Sequence, residues 1–130
     1  YWVALEGVSH FVCVVWHAHH ERPVTLLELE LQGEIDKYVC TLWLLTRQYP
    51  DRFPVELHHV LFERSRIDAT LAGARFELYR RANEYAARYC RRLAHSLRSR
   101  AKAPLDMAVA ELRRFYRLNR ERKLRFIECL

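Results

Sequence analysis

The sequence predicts an all-α fold, a single domain of five to six helices over residues 1–130, and three observations carry that expectation. Glycine is scarce, with only Gly7, Gly33 and Gly73 in 130 residues, against an ordinary share of about 7%. Tight hairpins and glycine-rich phosphate loops are therefore poorly supplied. Apolar residues recur at steps of three and four along most of the chain, the period of a helix with one buried face. No segment after residue 16 reads as a strand that an early strand could pair with.

Tyr1–Trp16 admits two readings. Its valines and aromatics fit a β-hairpin over residues 1–16 turning at Glu6-Gly7, but a lone two-stranded hairpin is marginal in water. The preferred expectation is a helix from about Val8 to Glu21, with Val8, Phe11, Val12 and Val15 as its buried stripe. The next boundary is sharper. Thr25 and Glu28 have the spacing of a capping box just after Pro23, in which each residue satisfies a free amide of the other's turn. Leu27, Leu31, Ile35, Tyr38, Leu42, Leu45 and Tyr49 then form one stripe, widened by Val39, Trp43 and Leu44. This long helix should be central, and Gly33 inside it suits either a close helix crossing or a slight bend.

Pro50 and Pro54 bracket a loop, and Pro54 fits the first turn of a short helix to about Arg64. Asp68 is a candidate cap for a long helix whose face is Leu71, Leu78, Ala82, Tyr85, Tyr89, Leu93 and Leu97. Glu77/Arg81 and Glu84/Arg88 stand four apart on its wet side. Ala101–Pro104 should break it. Leu105, Val109, Leu112 and Tyr116 give another amphipathic helix; Asn119 caps a last one seeded by Leu124, Phe126 and Ile127.

Composition bounds the class. A hydrophobic share of 51% with 29% charged residues is that of a globular domain. The longest apolar runs, Phe11–Trp16 and Leu42–Leu45, fall far short of the roughly 20 residues a membrane helix needs, so no membrane is expected. Cys13, Cys40, Cys90 and Cys129 lack zinc-finger spacing, and three of them lie in apolar stretches. The expectation is a reduced, cytoplasmic protein.

Charge is split along the chain. Residues 1–65 hold 5 Lys/Arg and 9 Asp/Glu, a net of −4, whereas residues 66–130 hold 17 and 7, a net of +10. Arg81, Arg88, Arg91, Arg92, Arg113, Arg114 and Arg117 are the candidate partner-binding residues on this basic half. Guanidinium pairs bidentately with carboxylate or phosphate, so the expected partner is an acidic protein surface or a nucleic-acid backbone. Glu28, Glu30, Glu34 and Asp36 of the same chain, or of a second subunit, are an internal alternative for those arginines. A homodimer buried through Trp2, Trp16 or Trp43 is a further possibility, as a scaffold without activity of its own.

A second constellation is His10, Cys13, His17 and His20, spaced 3, 4 and 3, which confines them to a strip about 80° wide on a helix. Together with Glu30 or Glu34, or with His58 and His59, such a strip could hold a metal. Softness favours zinc if Cys13 takes part and iron or manganese otherwise. Enzyme signatures such as G-x-S-x-G, a P-loop or H-E-x-x-H do not occur in the sequence. The sequence-level expectation is thus a non-catalytic helical binding module.

Overall fold

The structure, a computed structural model, describes residues 1–64, 73–98 and 104–130. Among them are six helices and no strand: α1 (Trp2–His19), α2 (Leu26–Gln48), α3 (Leu57–Phe62), α4 (Ala74–Arg98), α5 (Pro104–Tyr116) and α6 (Arg120–Glu128). The all-α expectation holds, and the hairpin at residues 1–16 is replaced by helix. Asp68, Leu71 and the expected break before Pro104 (residues 101–103) lie outside the described residues. No described helix is long and apolar enough to cross a membrane.

α2 is the axis of the fold, packed against α4 on one side and α1 on another, with α3, α5 and α6 closing around α4. Its start is the capping box read from the sequence. The Glu28 amide donates to Thr25 Oγ1 at 3.3 Å, and the Thr25 amide donates to Glu28 Oε2 at 3.0 Å. Leu27, Leu31, Ile35, Tyr38 and Leu42 are buried as predicted. Leu31, Ile35, Tyr38 and Leu42 share one core with Ala86, Tyr89, Cys90, Leu93 and Leu97 of α4 and with Leu57, Leu61 and Phe62 of α3. Each such side chain contributes about 1.5–3 kcal/mol by leaving water. The stripe's outer members, Trp43, Leu44 and Tyr49, are exposed.

α1 departs from expectation in extent and, more tellingly, in orientation. It begins at Trp2 and stops at His19, where Glu21 turns left-handed (φ 52°) and the Arg22 amide bonds back to the His17 carbonyl. Val8, Phe11, Val12 and Val15 are exposed, whereas Ser9, Cys13 and His17 are buried against the rest of the chain. The helix therefore lays its polar strip inward, because α2 offers that face hydrogen-bonding partners.

Smaller shifts follow in the other helices. α3 starts at Leu57, since Pro54–Glu56 forms a turn in which the Leu57 amide bonds to the Pro54 carbonyl. On α4, Arg80 pairs with both Glu77 and Glu84 in place of the expected four-apart pairs. α5 buries Ala108 and Phe115, with Val109, Leu112 and Tyr116 half-buried beside them. Asn119 caps α6 as read, its side chain accepting from the Arg122 amide at 3.0 Å.

Candidate functional site

The four residues of the His/Cys strip do not converge on one point. His17 Nδ1 donates to the Cys13 carbonyl at 2.8 Å and lies 3.6 Å from Cys13 Sγ, so these two satisfy each other. His20 is exposed, bonded through Nδ1 to the Trp16 carbonyl and stacked on the Trp16 ring. His58 donates to the Ala87 carbonyl and His59 pairs with Glu63, both on the α3 side. Glu34 is held by Lys37 at 2.6 Å. Only His10 meets one of the acids proposed for it, with Nε2 3.8 Å from Glu30 Oε1.

Inside the strip lies a polar interior that periodicity did not reveal. Ser9 Oγ and Gln32 Nε2 both donate to Asp36. Lys123 of α6 enters beside them, 1% exposed, its Nζ without a hydrogen bond. Burial pulls its amine below the ordinary lysine value, while Cys13, Glu28 and Asp36 pull the other way. Burial likewise pushes the Cys13 thiol, the Asp36 carboxyl and the Tyr116 phenol upward. Of the internal docking expected between the basic half and the acids of α2, Lys123 is the counterpart among the described residues.

The arginine-rich half resolves into distinct surfaces. Arg92 and Arg114 line a groove of about 1010 Å³ between α4, α5 and α6, joined there by Arg122 and Arg125. Its floor is Phe115, Leu118 and Phe126. Arg117, with Arg22, Arg120 and Arg122, lines a neighbouring cleft of about 650 Å³ around the start of α6. Arg88 reaches the Glu128 carbonyl at 3.4 Å, and Arg81 lies by Tyr85 near the same end. Arg91 faces Glu63 on the α3 side, and Arg113 is exposed. The candidates from the sequence thus divide between faces.

Acidic partners are unevenly supplied to them. Arg80 is saturated by two glutamates and Arg92 has Glu111 at 3.6 Å. Among the described residues Arg114, Arg117, Arg120, Arg122 and Arg125 have no ion pair. Arg122 and Arg125 belong to the same basic half of the sequence but are not among its seven candidate partner-binding residues; the groove adds them. The available signal was the density of basic residues at Arg120, Arg122, Lys123 and Arg125 beside Leu124, Phe126 and Ile127.

Comparison with known proteins found no counterpart: no family model, no curated protein and no solved structure matches the chain. Function is therefore argued from geometry.

Proposed function

We propose that the chain is a non-catalytic helical binding module whose C-terminal arginine face engages an acidic, amphipathic protein segment. The observation that supports this reading is the groove in which Arg92, Arg114, Arg122 and Arg125 surround Phe115, Leu118 and Phe126. An amphipathic helix lays apolar side chains into such a groove, and carboxylates along its edges find charge-assisted, bidentate donors in the arginines. Among the described residues, three of those four arginines have no acid paired with them.

A nucleic-acid backbone would also meet the arginines, but the floor favours protein. Bases stack on exposed ring faces. Phe115 is 2% exposed and stacked on Tyr89 at 4.3 Å, so its face is already taken. The partner's chemistry is then glutamate or aspartate interleaved with leucine-like side chains at helical spacing.

Fluorescence anisotropy tests the reading with a labelled peptide of Glu and Leu at helical spacing, a poly-glutamate peptide, and single-stranded and duplex oligonucleotides. The amphipathic peptide should bind most tightly and weaken with salt. Arg114→Glu/Arg125→Glu should lower its affinity by roughly tenfold or more, since one charge-assisted bond is worth about 1.5–3 kcal/mol, at unchanged helix content. Oligonucleotides binding with a steep salt slope while the peptide does not would move the partner to nucleic acid. Binding unaffected by the double variant would sink the groove.

A further inference from the structure

A separate constellation lies where the first half of α1 crosses α2, sharing no residue with the groove. Glu6 and His10 stand four apart on α1 and so face the same way; Glu30 approaches from α2. One ligand atom from each lies within 4.8 Å of the other two. His10 Nε2 is sealed from solvent with no hydrogen-bond partner. The Glu30 side chain is 7% exposed, and its Oε1 lies 3.8 Å from that same Nε2. The half-buried His10 and the buried Glu30 thus face each other with no hydrogen bond between them.

The spacing suits a shared ion better than a direct pair. A charged imidazolium–carboxylate pair closes to about 2.7–2.9 Å, well inside the distance seen. Two ligands of one ion, bound at about 2.0–2.2 Å, stand about 3–3.5 Å apart. Gly33 keeps the slot open: a Cβ there would lie 3.1 Å from His10 Nε2 and 3.7 Å from Glu6 Cγ. Lys37 touches Glu6 Oε2 at 3.3 Å but is held closer by Glu34, at 2.6 Å, leaving the second Glu6 oxygen available.

We infer that Glu6, His10 and Glu30 form a binding site for a divalent first-row transition ion, zinc above all. One imidazole and two carboxylates suit zinc, iron(II) or manganese(II), and zinc binds most tightly of the three. Without a thiolate the set does not favour copper(I). Cys13 and His17, three and seven residues from His10 in sequence, are occupied with each other and play no part.

Metal-stripped, tag-free protein titrated with zinc against a chromophoric chelator provides the test. One equivalent should bind. His10→Ala and Glu30→Gln should each weaken it by more than about tenfold, and Gly33→Ala, which keeps all three ligands, by about tenfold. His17→Ala, His20→Ala and Cys129→Ser should leave it intact. Cobalt(II) should give the weak visible bands of a nitrogen–oxygen set. An intense thiolate-to-cobalt charge-transfer band would place the ion on cysteine and overturn the assignment. So would zinc binding that survives both ligand variants, or wild-type protein that binds no zinc at concentrations on the order of 100 μM.

Discussion

Ser9 and Asp36 are joined across the α1–α2 interface by a 2.5 Å hydrogen bond in which the serine hydroxyl donates to Oδ2. Gln32 donates to Oδ1 at 2.8 Å, so neutral donors hold both oxygens of the carboxylate. Asp36→Ala removes the acceptor from both at once. A buried donor left unsatisfied costs about 1–3 kcal/mol, and urea unfolding should show a loss of about 2–3 kcal/mol. Asp36→Asn retains one acceptor oxygen and should lose less. Equal stability of the alanine variant and wild type would mean that this bond does not hold α1 in place.

The same carboxyl makes stability depend on acidity. Burial is the largest influence on Asp36 and raises it above the ordinary value, with Ser9 and Gln32 pulling part of the way back. Between an unfolded value near about 3.9 and the raised folded value, the native state holds the extra proton. Stability contributed by this group is present below that window and falls as pH climbs through it. Subtracting the stability of Asp36→Asn from that of wild type, measured upward from about pH 4, isolates the effect from other carboxyls. The difference should decline with rising pH. A flat difference would contradict the assignment.

The outward face of α1 should tolerate substitution. Phe11 is 69% exposed and Val12 49%, so Phe11→Ser and Val12→Thr should each change stability by no more than about 0.5 kcal/mol. Leu42, fully buried at the α2–α4 contact, should cost about 2–5 kcal/mol on replacement by alanine. Sedimentation of the same proteins adds the oligomeric state. A dimeric mass, with a loss of more than about 2 kcal/mol for Phe11→Ser, would show that a second copy covers this face.

α1 also marks where sequence reading runs out. The stripe of α2 was legible because Leu27 to Leu42 bury against apolar neighbours, and Thr25 and Glu28 close their box within one turn. α1 carries valines on one side and Ser9, Cys13 and His17 on the other, and hydropathy alone turns the valines inward. Asp36, 27 residues away, reverses that choice by hydrogen bonding to Ser9. No local period contains such a partner. His10 and Glu30 were both visible as possible ligands, but Glu6 was not, since only the crossing at Gly33 brings it to them. The groove arginines suffer the same limit: Arg92 and Arg125 become neighbours when α6 folds back on α4.

The thiols should separate by reactivity. Cys129 is exposed and Cys40 half-buried, while Cys13 and Cys90 are fully enclosed. Burial also pushes the Cys13 and Cys90 thiols upward, Cys90 strongly, which depletes the reactive thiolate. Alkylation of native protein followed by mass spectrometry should label Cys129 first, then Cys40, and reach Cys13 and Cys90 only with global unfolding. Early labelling of Cys13 would show that α1 opens from α2 below the unfolding threshold.

Lys123 offers the sharpest test of the polar interior. Its amine is buried without a hydrogen bond, 5.5 Å from the Tyr116 ring centre. It is faced by Cys13 from α1 and by Glu28 and Asp36 from α2. Burial dominates and lowers its titration below 10.5. Above the lowered value the folded protein sheds a proton that the unfolded chain keeps up to 10.5. The penalty for the buried charge is therefore full below that window, and stability rises with pH across it. Lys123→Met keeps the apolar stem and removes the amine. At pH 7 it should be neutral or more stable, by up to about 2 kcal/mol, as when buried charges give way to apolar side chains of similar volume. Any advantage should shrink as pH approaches 10.5. If Lys123→Met instead costs about 3 kcal/mol or more at pH 7, the amine is a genuine counter-ion to Asp36 or Glu28, because breaking a buried pair leaves its other member uncompensated.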